Sequence, residues 1–126
     1  MTTAKHHDKI LKDMNKEYKE LFEASPQAIY AYMDDHHIIW NKKFSELTGY
    51  KTPSEVRKTN RTFLDLFVHE KSQKTLATAY MKAVEHGKGS SVNVQWKNKN
   101  GKTKKANTIL VPIPFQGHVV ALHFIE

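Results

Sequence analysis

Two short clusters of histidine and aspartate contain side chains of the kind that bind metal ions. Asp-Asp-His-His at residues 34–37 lies between two apolar segments, and His-His-Asp at residues 6–8 lies near the N-terminus. Neighbouring residues of a strand point to opposite faces, so at most alternate members of the first cluster reach one ion. We therefore interpret residues 34–37 as a solvated turn and residues 6–8 as a mobile terminus, and we predict no metal site.

The sequence motifs of common catalytic sites are absent. The chain contains no Gly-x-Ser-x-Gly, no Gly-x-x-x-x-Gly-Lys and no His-Glu-x-x-His. A small α+β enzyme would need a carboxylate or a histidine deep in a cavity, and His123, in the apolar C-terminal segment, is the candidate. A histidine there can also sense pH or bind a ligand carboxylate, or it can be structural. We predict that the chain is not an enzyme.

A lysine-rich segment is the most concentrated basic feature of a chain with a formal net charge of +7. Its members are Lys97, Lys99, Lys102, Lys104 and Lys105. Such lysines can bind phosphates, and the neighbouring Trp96 can stack on a base. A solvated hairpin explains the lysines equally well, because basic residues are spread along nearly the whole chain. Nucleic-acid binding by residues 97–105 is therefore the alternative function and not the favoured one.

Large aromatic side chains are the candidates for lining a ligand pocket. Together with His123, these candidates are Tyr30, Tyr32, Phe44, Phe63, Phe67, Tyr80 and Trp96. Tyrosine hydroxyls supply the few polar contacts that orient a small ligand in an apolar site. The alternative is a filled core, and we expect at most three or four of these side chains to contact a ligand.

The composition fits one globular domain. A chain of 126 residues has the length of a single domain, and 39% hydrophobic with 26% charged residues is enough to form a core. The absence of cysteine excludes disulfides and thiol catalysis. No apolar run approaches the roughly 20 residues that span a bilayer, so we expect a cytoplasmic protein without a membrane anchor.

The N-terminal segment has the periodicity of an amphipathic helix. Leu11, Met14, Tyr18 and Leu21 follow one another at spacings of three, four and three, which places them on one stripe of a helix over residues 9–22. Such a seam, together with Phe22, can pack against a second copy and form a dimer interface. The alternative is that the helix folds back onto its own sheet.

The remaining elements are segregated along the chain. Two short strands are predicted at residues 28–33 and 38–40, and several helices follow, the longest at residues 70–86. Three further strands start at Val92, Thr103 and Val119. Runs of this kind favour an α+β domain with an antiparallel sheet and helices on one face.

Several segments resemble the PAS domain family. Residues 40–50 (WNKKFSELTGY) are similar to the family's asparagine, phenylalanine and Leu-Thr-Gly-Tyr segment, and residues 96–102 are similar to its hairpin. The resemblance covers residues 22–126, and we assign residues 23–126 to the PAS domain and residues 1–22 to an N-terminal helix or cap. It implies a five-stranded antiparallel sheet whose helical layer encloses a small cavity.

The resemblance also bears on the cofactor. Flavin-binding photosensors of the family need a reactive cysteine, so a covalent flavin adduct is excluded here, whereas flavin bound without a covalent bond is left open. Haem-binding members take an axial histidine from the long helix. His69 and His86 only flank that helix, so haem is disfavoured and the cofactor is unknown.

PAS domains act as sensors and dimerising modules that are often attached to kinases or cyclase-type effectors. The resemblance therefore implies a signal-transduction module that binds a small ligand or a protein partner and regulates by dimerisation. A homodimer and a kinase or other two-component effector are the expected partners. The chain is either the input domain of a larger protein or a protein that signals by association.

Overall fold

The computed structural model describes residues 3–126, so Met1 and Thr2 of the predicted N-terminal segment lie outside the described residues. The helices are α1 (Thr3–Glu17), α2 (Lys19–Ala24), α3 (Lys42–Thr48), α4 (Pro53–Arg57), α5 (Phe63–Phe67) and α6 (Glu70–His86). The strands are β1 (Ala28–Asp34), β2 (His37–Trp40), β3 (Ser90–Lys97), β4 (Thr103–Phe115) and β5 (His118–Ile125).

The five strands form one antiparallel sheet in the order β2-β1-β5-β4-β3. β1 and β5 are therefore central, and Tyr30 of β1 lies opposite His123 of β5. The sequence-based fold class, α+β with a five-stranded antiparallel sheet, is confirmed.

Local signals in the sequence determine where the short helices begin and end. The Asn41 side chain accepts a hydrogen bond from the backbone N–H of Phe44 at the start of α3, and Gly49 ends α3 with a φ of 84°. Thr52 and Thr62 cap α4 and α5 in the same way. These short helices hold the chain over one face of the sheet before α6 crosses it.

The N-terminal segment forms two helices where the sequence predicted one. Tyr18 separates α1 from α2 with φ and ψ values of −100° and 20°. The stripe of α1 packs on the sheet face opposite α6, where Ile10 and Met14 share a core with Ile29 and Leu122. The sheet thus has α3–α6 on one face and the amphipathic α1 on the other.

The residues predicted to form a dimer interface have different environments. Leu11, Met14 and Phe22 are buried in the chain's own core, and Tyr18 is partly buried against it. Leu21 is exposed at 41% of its surface. The alternative, in which the helix folds back onto its own sheet, is therefore what the structure shows for the buried three. Dimerisation itself stays a prediction.

Among the described residues, no helix combines the length and the apolar character needed to cross a membrane.

Candidate ligand site

A cavity of about 250 Å³ lies between the central strands and the helices α5 and α6. The residues that line it are Tyr30, Tyr32, Phe63, Leu64, Leu76, Ala77, Tyr80, Met81 and His123. Five of these nine, the three tyrosines with Phe63 and His123, were predicted from the sequence. The structure therefore brings most of the predicted pocket residues together in one place.

Strand alternation and helix periodicity position this lining. Tyr30 and Tyr32 are two residues apart on β1, so both point to the helix-covered face, and the register of β5 places His123 beside Tyr30. Leu76 and Tyr80 are four residues apart on α6 and face the sheet together.

Aromatic rings in the lining of the site stack on one another. The centroids of the Tyr30 and His123 rings are 4.0 Å apart with an interplanar angle of 13°. The Tyr80 ring is also within 13° of the plane of His123, with a centroid distance of 6.2 Å. The rings of Tyr32 and Phe63 meet edge to face. The mainly apolar lining of the cavity favours an apolar ligand.

His123 is a neutral imidazole in this environment. Its Nδ1 lies 3.1 Å from the carbonyl oxygen of Ala121, which assigns the proton to Nδ1. Burial lowers the pKa of His123 to about 3, although the hydrogen bonds with the backbone of Ala121 and Tyr30 act in the opposite direction. At neutral pH the ring therefore carries no charge.

The three tyrosine hydroxyls differ in their partners. Tyr32 donates to Oδ1 of Asp35 at 3.0 Å, and Tyr80 donates to the carbonyl oxygen of Tyr32 at 3.3 Å. The hydroxyl of Tyr30 is buried and finds no partner among residues 3–126. Burial raises the pKa of Tyr30 and of Tyr32, and that of Tyr80 to about 12. All three are protonated donors at neutral pH, and the one on Tyr30 is unused.

The other three aromatic candidates do not line the cavity. Phe44, Phe67 and Trp96 lie in the adjoining core, where Phe44 packs on the ring of Tyr30 at 5.1 Å. The suggestion that Trp96 stacks on a nucleic-acid base is wrong, because the side chain is 1% exposed and its indole N–H donates to Thr108. These rings support the wall of the cavity from behind.

Part of the basic hairpin is engaged within the chain. The Nζ atom of Lys97 donates to the carbonyl oxygen of Asp65 at 2.6 Å, and that of Lys99 lies 3.1 Å from Oε2 of Glu55. The ammonium of Lys99 also lies 5.4 Å from the centre of the Tyr50 ring. The hairpin is thus fastened to α4 and α5 and is not a free basic arm.

Four lining residues were missed as pocket candidates, namely Leu64, Leu76, Ala77 and Met81. Leu76, Ala77 and Met81 belong to α6, whose periodicity was the available signal. The flanking histidines do not reach the cavity: His69 caps the start of α6 by accepting from the backbone of Lys71, and His86 is exposed at its end.

The size of the cavity limits what it can hold. Pockets for drug-sized molecules measure about 300–1,000 Å³, and an apolar cavity of about 150 Å³ is enough for benzene. A cavity of about 250 Å³ therefore matches one substituted ring and is smaller than the usual pocket for a drug-sized molecule.

Residues 35 and 36 form a turn between β1 and β2, as predicted, whereas the N-terminus differs from the sequence-based interpretation. Residues 6–8 are part of α1 and not a mobile terminus, and the side chain of His7 contacts Asp34 of the 34–37 turn. Sequence spacing gave no signal for this contact, because the two residues are 27 positions apart.

No family model matches this chain, and the search of curated proteins gave no match either. Solved structures do match. The PAS domain of a protein from Colwellia psychrerythraea has 21% identity and a TM-score of 0.67, and the match covers 90% of this chain and 96% of that one. The PAS domain of an HTR-like protein from Haloarcula marismortui has 21% identity and a TM-score of 0.63, with coverage of 97% and 98%.

A domain of a sensory box sensor histidine kinase/response regulator from Geobacter sulfurreducens is similar at 16% identity and a TM-score of 0.64, with coverage of 92% of this chain and 96% of that one. At these identities the likeness establishes the fold. It is the fold that the sequence resemblance implied.

Proposed function

We propose that this chain, which has the PAS fold, is a sensory module that binds a small, largely apolar ligand in the cavity beneath α6 and signals through dimerisation to an effector. The observation that carries the proposal is the apolar cavity, whose lining residue Tyr30 has a buried hydroxyl without a partner among the described residues. A ligand with one acceptor atom would satisfy that hydroxyl.

The unpaired hydroxyl of Tyr30 costs the folded protein free energy. A buried polar group without a hydrogen bond costs about 1–3 kcal/mol, whereas a phenylalanine at the same position would have no such cost. The tyrosine therefore lowers the stability of the ligand-free protein. A ligand that accepts a hydrogen bond from Tyr30 recovers this free energy on binding. The tyrosine therefore strengthens ligand binding at the expense of the stability of the ligand-free protein.

The sheet provides a route from the cavity to α1. Tyr30 and His123 face the cavity, while Ile29 and Leu122, their neighbours on the same strands, face the opposite side and pack against α1. A shift of β1 or β5 on ligand binding therefore changes the contact that holds α1. This couples occupancy to the N-terminal helix as a shift between two packing arrangements.

We propose no catalytic role for the cavity. A general base works best when its pKa is near the working pH, and a pKa of about 3 makes His123 a weak base there. The likeness to a domain of a sensory box sensor histidine kinase/response regulator supports a kinase or another signalling protein as the effector, and the output lies in that partner.

The experiment is mass spectrometry of small molecules released from the purified protein, followed by binding measurements with the compound found. Replacing Tyr30→Phe should weaken binding by about tenfold, the value of one hydrogen bond, and should stabilise the ligand-free protein by about 1 kcal/mol. Tyr50→Phe is the matched control, because Tyr50 is also buried but does not line the cavity.

Two results would contradict the proposal. One is a protein that releases no compound and shows no chemical-shift changes around the cavity in an NMR screen of substituted single-ring molecules. The other is a bound compound whose affinity is the same in the Tyr30→Phe variant and in the wild type.

A further inference from the structure

Three metal-binding side chains converge at one corner of the sheet. His7 comes from α1, Asp34 from the end of β1 and His37 from the start of β2. Potential ligand atoms of the three all lie within 4.8 Å of one another. Nδ1 of His7 is 2.7 Å from Oδ2 of Asp34, and Nδ1 of His37 is 2.7 Å from Oδ1 of the same carboxylate.

The fold holds these groups in place from two directions. The pairing of β1 and β2 is irregular between Tyr32 and Asp34, which brings Asp34 opposite His37 across the hairpin. On α1, His7 lies three and seven residues before Ile10 and Met14, so the buried stripe that fixes the helix to the sheet also directs His7 toward the hairpin. All three metal-binding side chains therefore belong to a helix or a strand, and none lies on a long loop.

More imidazoles surround this trio. His118, the first residue of β5, has its ring centroid 6.3 Å from that of His7, and its Nε2 lies 2.8 Å from Nε2 of His6. Counting His37, four of the eight histidines of the chain are grouped at this corner. Hydrogen bonding to Asp34 involves only two of these four histidines. The other two extend the nitrogen-rich environment beyond the carboxylate.

The donor types select the class of metal. Two imidazoles and one carboxylate are a common ligand set for Zn²⁺, with bonds of about 2.0–2.2 Å and a fourth position for water or another side chain. Ca²⁺ and Mg²⁺ prefer sets made entirely of oxygen ligands. The side chains of His7, His37 and Asp34 are 18%, 17% and 38% exposed, so the site is open to an ion from solvent and still partly shielded.

We propose that His7, Asp34 and His37 form a zinc site that fastens α1 to the β1–β2 hairpin. The ligand atoms need to move by only about an ångström to surround an ion, because tetrahedral ligands at these bond lengths are roughly 3.3 Å apart. Zinc binding then adds a contact that holds α1 on one face of the sheet. The opposite face of the same sheet lines the ligand cavity. The site does not depend on the cavity being occupied.

The test is isothermal titration calorimetry of the full chain, expressed without a histidine tag and stripped with a chelator, using Zn²⁺ and, in parallel, Mg²⁺. We expect one Zn²⁺ per chain, no binding of Mg²⁺ and a higher melting temperature with Zn²⁺. Replacing any one of the three ligands should weaken Zn²⁺ binding by at least about tenfold, and the variants are His7→Gln, Asp34→Asn and His37→Gln. Even the loss of a residue that only hydrogen-bonds a metal ligand lowers metal affinity by about this factor.

His86→Gln is the matched control, because His86 is an exposed histidine at the far end of α6 and should not affect binding. Circular dichroism checks the fold of each variant, and the visible spectrum of the Co²⁺ form of the wild type reports four-coordination independently of the variants. Failure of the wild type to bind Zn²⁺ at one per chain would overturn the proposal. So would variants of His7, Asp34 and His37 that bind as tightly as the wild type, or an equal loss in His86→Gln.

Discussion

At the scale of single residues, the buried His123 makes stability depend on pH. Its pKa in the folded protein is about 3, while the ordinary value is 6.5, so below pH 6.5 the unfolded chain binds a proton that the folded chain does not. The contribution is therefore present above pH 6.5 and is lost as the pH falls toward 3. Tyr30 and Tyr80, which face the ring, stay protonated throughout this range.

We predict that between pH 6.5 and pH 4 the free energy of unfolding falls by up to about 1.4 kcal/mol per pH unit through this one group. Urea unfolding across this range should show a shallower slope for His123→Gln, which keeps a donor for Ala121 but does not titrate. His86→Gln serves as the control and should keep the wild-type slope. Equal slopes in wild type and His123→Gln would contradict the buried neutral histidine.

Part of the cavity lining could be predicted from the sequence. Tyr30, Tyr32 and Tyr80 were chosen as large aromatic side chains, and strand alternation and the helix period explain why the three meet at the cavity. Phe44, Phe67 and Trp96 were chosen by the same criteria but fill the core. Which aromatic side chains leave space between them depends on how α5 and α6 sit on the sheet, and no local pattern encodes that.

At the scale of elements, Asn41 joins three of them with one side chain. Its Nδ2 donates to the carbonyl oxygens of Phe22 and Gln27, and its Oδ1 accepts from the backbone N–H groups of Ile29 and Phe44. The end of α2, the start of β1 and the start of α3 are thereby fixed to one another, and Asn41 is only 5% exposed.

We predict that Asn41→Ala destabilises the protein by about 3 kcal/mol or more, because it removes a helix cap and leaves buried backbone groups without partners. Thr62→Ala is the comparison. Thr62 caps α5 through a single hydrogen bond to Asp65, so its loss should cost about 1 kcal/mol. The measurement is the free energy of unfolding in urea, and similar losses in the two variants would refute the three-element role of Asn41.

The helices and strands were predicted from the sequence better than the cavity was, and the predictions that were wrong have physical causes. The strands and α6 carry strong periodicities with glycine or capping residues at their ends. The sequence around Tyr18 contains no proline or glycine, so no local signal predicted that the helix would be divided there. The meeting of His7 with Asp34 follows from the way α1 docks on the sheet, which the helical periodicity alone left open.

At the scale of the whole molecule, α1 covers only part of its face of the sheet. Ile109 and Phe124 lie opposite each other on that face and are half-buried, and Val111 beside them is 37% exposed. Leu21 adds a further exposed apolar side chain on α2. Since Leu11 and Met14 are buried, charges placed on them would unfold the monomer and would not test association.

The proposed homodimer is instead tested on this uncovered part of the sheet. Val111→Lys places a charge on the α1 face and should weaken dimerisation by at least about tenfold, because burying an unpaired charge costs well over the 1.4 kcal/mol that this corresponds to. Val119→Lys is the matched control, since Val119 has the same exposure of 37% but faces the opposite side of the sheet. Sedimentation velocity over a range of concentrations measures both. A wild type that stays monomeric would refute the dimer, and equal dimerisation of Val111→Lys and wild type would place the interface elsewhere.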